Sequence, residues 1–337
     1  MKISILIPCY NEEFTIERCI MSCLNQTRPA DEIIVVDDSS FDKTPEILKR
    51  FGSAIKTVRT PKNTGNKSYA QEYGLQFVTG DVFIATDGDT MLSKDFIEIM
   101  EKDMQDGSIS AVAGYVKSLK YNWLTACRAL DYTVSQNIDK LAQDYLNFIF
   151  VIPGAAGAFR TDVFKEKIMF GHDTLTEDLD FTYRLHEMGY KIKYNRKAIC
   201  YTQDPSALGA YINQMRRWFG GGWQNLKKHF NIPNSPGMAL ELSLIYVEGL
   251  IYSFMMIFLP LINLYLTFYL LLIYSAVVLG LSVFGSIKEK RIDILFCFPC
   301  YIFLKYVNAW IFMEQFLQEI ILRKKRLVWF KPTRVKM

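Results

Sequence analysis

No apolar run long enough for a secretory leader opens this chain. Met1-Lys2 leads straight into Ile3-Ser4-Ile5-Leu6-Ile7-Pro8, which suits a buried strand, so the amino-terminal part is expected to stay cytoplasmic. A disulfide framework is missing too, because the seven cysteines are odd in number and scattered. Cys19 and Cys23 lie four apart on a predicted helix as core residues. Cys297-x-x-Cys300 has no second Cys or His pair near it, which argues against a metal or redox role. No Gly-x-Gly-x-x-Gly follows the first strand, which argues against a dehydrogenase. Formal charge is absent from Leu244 to Gly285 apart from Glu248, and acid is absent from Arg323 to the end, where seven Lys and Arg collect.

The forty-two residues with that single charge fill two membrane spans at about 20 residues each. Pro260 and Asn263 fall near the middle, where a turn belongs, so a helical hairpin is predicted with spans at about 243–262 and 264–285. The following stretch to Leu322 carries Asp293, Pro299, Lys305, Glu314 and Glu319, too many interruptions for an easy crossing. If the hairpin starts and ends inside, a third crossing would also put the basic tail outside, against the usual charge bias. The reading favours an interfacial or re-entrant helix over a span there, with Trp310 and Trp329 suited to an interface. The basic tail, 323–337, fits the cytoplasmic face of a membrane and its anionic lipid. Nucleic acid is the rival partner for a basic run, disfavoured because the neighbouring segment wants lipid.

Before the hairpin, strand and helix signals alternate. Ile3 to Ile7 reads as a strand, and Asn11 can cap a helix whose Ile16, Cys19, Ile20, Cys23 and Leu24 recur at three- and four-residue spacing. Glu32 to Asp38 is an apolar strand ending in two aspartates, and Thr44-Pro45 opens another helix. Ala54 to Val58, Val82 to Ala85, Phe150 to Pro153 and Lys191 to Tyr201 are further predicted strands; Ser68 to Val78 and the run from Thr176 to Gly189 are helices. This order implies a mainly parallel sheet covered by helices. Tyr121 to Phe148 has helical content that covers the sheet or rests on the bilayer. Ligands in such sheets sit beyond the carboxyl ends of the strands. The polar clusters Pro8-Cys9-Tyr10-Asn11-Glu12, Asp37-Asp38-Ser39-Ser40 and Asp87-Gly88-Asp89 all fall on that rim.

The chemistry of these clusters is specific in combination. Asp87-x-Asp89 after a strand can offer a carboxylate to a hard divalent cation, Mg²⁺ or Mn²⁺, which bridges phosphate oxygens; alone it is a common turn. Lys67 could neutralise a diphosphate or hold a carboxylate. Tyr10 offers a stacking face and Glu12 an acceptor for a base or ribose, though both could instead cap the first helix. The small residues Gly154 to Ala158 permit a close ligand approach or simply tight packing. Thr176-Glu177-Asp178-Leu179-Asp180 loads three acids into the opening turn of a helix, where the backbone N–H groups and the dipole favour them and Thr176 is placed to cap as the N-cap residue. Gln214-x-x-Arg217-Trp218 lies on a helix that could anchor on lipid.

The set Pro8-x-Tyr10-Asn11-Glu12, Val36-Asp37-Asp38-Ser39-Ser40-x-Asp42-x-Thr44, Asp87-x-Asp89, Thr176-Glu177-Asp178 and Gln214-x-x-Arg217-Trp218 resembles the family 2 inverting glycosyltransferases. More narrowly it is similar to the membrane-embedded branch that includes hyaluronan, chitin, cellulose and poly-N-acetylglucosamine synthases. The resemblance implies a GT-A-like α/β catalytic domain over 1–205, an interfacial region over 206–238, a membrane region over 239–322 and the tail. It implies a nucleotide-sugar donor, UDP-linked by expectation, whose base and ribose meet Pro8, Tyr10, Glu12 and Asp38. Lys67 would serve the diphosphate, Asp87 the ribose or donor sugar, and Asp89 the divalent cation. Asp178 matches the general base and Glu177 its neighbour, with Asp180 a supporting or capping acid. Gln214, Arg217 and Trp218 would lie near the diphosphate and the acceptor sugar.

Inverting transfer needs one base to take the proton of the attacking hydroxyl, and positive charge on the departing diphosphate. A guanidinium fork suits phosphates and an indole suits the apolar face of a sugar. The acceptor is expected to be a glycan or a lipid-linked group, with lipid itself a partner and oligomers possible. A transferase adding one sugar to polyprenyl phosphate is the alternative enzyme, and a non-catalytic membrane scaffold the alternative class. The chain departs from the family at Asp204-Pro205, where many relatives carry Glu, and in Gly220-Gly221-Gly222 after Trp218.

Overall fold

The computed structural model describes residues 1–230, 236–324 and 327. They form two compact units: Met1–Lys117 with Lys140–Gln203, and Ser118–Asp139 with the described part of 204–333.

The first unit opens with β1 (Ile3–Cys9), α1 (Ile16–Leu24), β2 (Glu32–Asp37), α2 (Thr44–Arg50), β3 (Lys56–Arg59), α3 (Lys67–Leu75) and β4 (Val82–Ala85). A short β5 (Met91–Leu92), α4 (Phe96–Met104) and a long β6 (Ile109–Ser118) follow. The chain then passes through α5 (Trp123–Val134) of the second unit. It returns as α6 (Lys140–Tyr145), β7 (Gly157–Arg160), the single turn α7 (Thr161–Val163), α8 (Glu177–Glu187) and β8 (Lys191–Thr202). All eight strands share one sheet in the order β3-β2-β1-β4-β7-β6-β8-β5. The pairs β1/β2, β1/β4 and β2/β3 are parallel, as consecutive βα units require, whereas β7 runs antiparallel to β4 and β6, and β5 to β8. The sheet is therefore parallel in the half that bears the motif loops and mixed overall, with helices flanking it in the GT-A manner.

Every residue of β1 is buried, and α1 turns Ile16, Cys19, Ile20 and Cys23 inward, the spacing of one helical face. Gly74 lets α3 lie close on the sheet, since a Cβ there would run into Val36 and Leu6. Phe83 of β4, Phe159 of β7, Phe164 and Phe181 of α8 form a knot with ring centroids 5.1–5.6 Å apart. It ties α8 to the sheet.

Three local expectations change. Asn11 does not cap α1, which starts at Ile16; it sits at φ 51° and its Oδ1 accepts from the Phe41 backbone N–H at 3.0 Å. Thr176 does stand at the N-cap of α8, but its hydroxyl makes no capping bond. Phe150 to Pro153 is not a strand, because its backbone donors are taken elsewhere. The Phe150 N–H goes to Gln143 Oε1 (3.0 Å) and the Ile152 N–H to Thr182 Oγ1 (3.0 Å), so the sheet is rejoined only at Gly157.

The second unit holds α5 with α9 (Leu208–Lys228), α10 (Pro236–Ser243), α11 (Gly249–Ile262), α12 (Leu264–Glu289), α13 (Ile292–Phe296) and α14 (Phe298–Phe316). A π-helical stretch, Leu244–Glu248, joins α10 to α11. Met238–Ile262, of 25 residues, and Leu264–Glu289, of 26, are long and apolar enough to cross a membrane. Asn263 makes the turn and its side chain accepts from the Leu266 N–H. The polar residues of the last segment are paired within this unit: Lys305 with Asp131 (2.9 Å), Glu314 with Arg216 (2.9 Å) and Glu319 with Gln224 (2.9 Å). All seven cysteines are free, and Cys297 is buried against Cys127. Most of the basic tail, with Trp329, lies outside the described residues.

Candidate active site

Two loops at the carboxyl ends of β1 and β2 are sewn together by the residues that the motifs share. Pro8, next to last in β1, lies opposite Val36, and the Asn11 N–H donates to Ser40 Oγ (2.9 Å), the Glu12 N–H to Thr44 Oγ1 (2.8 Å) and the Glu13 N–H to Asp42 Oδ2 (3.1 Å). Tyr10 meets the exposed Phe41 edge to face at 6.1 Å. Glu12 is buried and its Oε2 accepts from Thr15 Oγ1 (2.6 Å).

Asp37 and Asp38 divide their work. Asp37 accepts from the Ser40 N–H (2.9 Å) and pairs with Arg59, which also donates to the Ser40 carbonyl (2.9 Å). Asp38 is buried under the loop after β3 and accepts from Thr60 Oγ1 (2.8 Å), Asn63 Nδ2 (3.1 Å), the Thr64 N–H (3.0 Å) and Thr64 Oγ1 (2.8 Å). Charge-assisted bonds of this kind contribute about 1.5–3 kcal/mol each. This carboxylate therefore fixes the loop that leads into Lys67.

Lys67 opens α3 and is the hub. Its ammonium pairs with Asp87 and lies 3.5 Å from Glu177 Oε1, joining the D-x-D loop to the acidic helix. Burial alone would push this ammonium down, but Asp87, Glu177 and Asp178 outweigh it and hold Lys67 charged well above the ordinary lysine range. Gly154 roofs the group, since a Cβ there would come within 2.8 Å of Lys67 Nζ. Gly154 is the close-approach residue in the small-residue run.

The three acids of α8 have separate surroundings. Glu177 is buried beside Lys67; Asp180 is fully buried and pairs with Arg184 at 2.6 Å, whose Nη2 also donates to the Met169 carbonyl (2.9 Å). Asp178 alone is half-exposed, with Oδ1 accepting from the Leu179 N–H (3.0 Å). Asp89 is buried after β4, its Oδ1 accepting from Thr90 Oγ1 (3.2 Å), while Asp87 is more open. Gln214, Arg217 and Trp218 share one face of α9 in the second unit.

One residue of this region escaped the sequence reading. Lys140 of α6 is buried, with Nζ over the Tyr194 ring at 5.7 Å. Burial pushes its ammonium down to about 8, against the upward pull of Asp178 and Cys200. Nothing in the local pattern sets this lysine apart from a solvated one.

The arrangement gathers a charged lysine, two carboxylates on the neighbouring loop and an accessible carboxylate on a helix stub, which suits transfer to or from a phosphorylated ligand. Residues 4–166 match the family model described as glycosyl transferase family 2. Poly-β-1,6-N-acetyl-D-glucosamine synthase of Staphylococcus epidermidis is 28% identical over 243 residues, 68% of this chain and 56% of that protein. The enzyme of the same name from Staphylococcus aureus strain COL is 27% identical over the same span. The chain thus covers little more than half the length of these curated relatives. Among solved structures, the mannosyltransferase PcManGT of Pyrobaculum calidifontis, in complex with GDP-Man and Mn²⁺, aligns over 96% of this chain and 88% of its own, with TM-score 0.67 and 18% identity. Residues 1–349 of S. aureus TarS align over 96% and 92%, with TM-score 0.53 and 14% identity. Over residues 4–166 the chain is thus similar to the glycosyl transferase family 2 domain, and the solved structures show that its fold is shared.

Proposed function

We propose that this chain is a membrane-anchored inverting transferase that moves N-acetylglucosamine from a UDP-linked donor to a β-1,6-linked glycan acceptor. The observation that carries the reading is the Lys67 hub, which brings Asp87 of the D-x-D loop and Glu177 of the acidic helix onto one ammonium, with the partly exposed Asp178 next in the chain to Glu177. The sugar and linkage follow the products named for the staphylococcal relatives.

In this reading Pro8, Tyr10, Glu12 and Asp38 form the base and ribose end of the donor site. Asp178 takes the proton of the acceptor hydroxyl as its oxygen bonds to the anomeric carbon, and the bond to the diphosphate breaks with its electron pair leaving on the phosphate. Glu177 and Asp180 are buried, and Asp178 is the partly exposed acid of the three. Lys67 neutralises the diphosphate, and Gln214, Arg217 and Trp218 serve the diphosphate and the acceptor sugar. The D-x-D loop offers hard carboxylate oxygens, the donor type that suits an Mg²⁺ or Mn²⁺ ion held by one or two carboxylates and completed by phosphates. Asp89 would hold it, with Asp87 next to it, and the ion when bound supplies positive charge to the leaving diphosphate.

Donor turnover in membranes, read as released UDP, tests the assignment. Asp178→Asn is expected to lower transfer by about 10²–10⁴, and Asp89→Ala to abolish the response to Mn²⁺. Undiminished transfer in either variant refutes the mechanism. A ladder of oligomeric products supports glycan extension, whereas a single lipid-linked sugar moves the acceptor to polyprenyl phosphate.

A further inference from the structure

The second unit buries a guanidinium that the mechanism above does not use. Arg128 of α5 is 3% exposed, with Nε 3.4 Å from Asp204 Oδ1 and Nη1 3.2 Å from Asp131 Oδ2. Three rings surround it: its Cζ lies 4.6 Å from the Tyr132 centroid, 4.8 Å from Trp218 and 5.8 Å from Tyr211. Trp218 is itself only half-buried, so one part of the indole is packed and another is open.

This arrangement is poor if stability were its only purpose. Arg128 Nη2 and Asp204 Oδ2 are both buried without a hydrogen-bond partner among the described residues, and a buried ion pair is commonly replaceable by apolar side chains at no loss. What the charges do provide is direction. Asp204 and Asp131 grip two edges of a planar fork, and a fork so held presents a fixed plane to the indole. Asp131 is anchored in turn by Lys305 (2.9 Å) and Tyr301 (2.7 Å), and Asp204 by Tyr132 (3.2 Å). The acid that departs from the family pattern before Pro205 therefore has a partner in the chain.

We propose that Arg128, clamped by Asp204 and Asp131, is a positioning residue that fixes the ring of Trp218 for stacking on the acceptor sugar. The proposal rests on the acceptor role given to Trp218 above. It makes Arg128 act on acceptor affinity through Trp218, without contact to the donor.

The test uses the full chain in membranes, with UDP-N-acetylglucosamine as donor and a β-1,6-linked N-acetylglucosamine oligosaccharide as acceptor. Arg128→Lys keeps the charge and loses the plane. It is expected to raise the acceptor KM about tenfold while the donor KM and donor hydrolysis by water stay within about twofold. Arg128→Met with Asp204→Leu removes the pair together, avoids a lone buried acid and is expected to show the same split. Trp218→Ala should raise the acceptor KM as well, and adding Arg128→Lys to it should cost nothing further. If Trp218→Ala raises the acceptor KM but the Arg128 variants do not, or if the two losses multiply, the proposal fails alone. If Trp218→Ala leaves the acceptor KM unchanged, the acceptor reading of Trp218 fails and the proposal with it.

Discussion

Two buried lysines stand near Asp178, and they differ in what surrounds them. Lys67 has carboxylates on two sides and stays charged; Lys140 has a tyrosine ring and no carboxylate within salt-bridge reach among the described residues. Burial therefore governs Lys140 and pushes it down to about 8, below the ordinary lysine value near 10.4. Below pH 8 it is protonated in both folded and unfolded chains, and the folded chain bears the cost of a buried charge. Between about 8 and 10.4 the unfolded chain binds more protons, so stability rises with pH across that window. Lys140→Met is thus expected to stabilise the protein by roughly 1–3 kcal/mol at pH 7, with the gain fading as pH rises through 8 towards 10. Melting curves in detergent at pH 7, 8.5 and 10 measure it. A loss of stability at pH 7 would mean that the ammonium is favourable where it sits.

At the scale of elements, the acidic helix is held from two sides. The phenylalanine knot fixes one side of α8, and Thr182 and His186 fix the other. Thr182 Oγ1 accepts from the Ile152 N–H and donates to the Asp178 carbonyl (2.6 Å), and His186 Nε2 lies 2.8 Å from the Ile149 carbonyl. Thr182→Val keeps the shape and removes the hydroxyl, orphaning the Ile152 N–H. It should cost about 1–3 kcal/mol of stability and lower kcat more than it raises the donor KM, because Ile152 and Asp178 lose their common tether. Steady-state kinetics beside a melting curve separates the two effects, and an unchanged kcat would discard the tether. The same hydroxyl explains a limit of sequence reading. Strands β1, β2 and β4 are legible because each is a short apolar run bounded by turn residues, and the D-x-D and acidic runs stand out as candidates because their carboxylates lie in adjacent residues. Phe150 to Pro153 has the same apolar signature, yet Thr182 and Gln143, seven or more residues away, claim its donors. Lys140 and Arg128 were illegible for a related reason: whether a charge is buried, and against which ring, is decided by residues distant in the chain.

For the whole molecule, the two long apolar helices set the terms on which a membrane would hold it. Helices of 25 and 26 residues span about 38 Å at 1.5 Å per residue, more than the roughly 30 Å of hydrocarbon in a bilayer. Their outward side chains are apolar to the turn, with Leu261 81% and Tyr265 92% exposed, surfaces that water would not support. If both helices cross, the chain returns to the side it left, and Lys288, Lys290 and Arg291 at the end of the second helix place that end on the cytoplasmic face by the positive-inside bias. The catalytic unit and Lys290 should therefore share one side of the membrane and Asn263 occupy the other. An epitope inserted at Asn263 is expected to be labelled on intact cells, while tags before Met1 and after Arg291 are labelled only once the membrane is permeabilised. Labelling of all three without permeabilisation, or of none at the turn, would replace the spanning hairpin with one lying in the interface, and the acceptor would then have to be reached from that face alone.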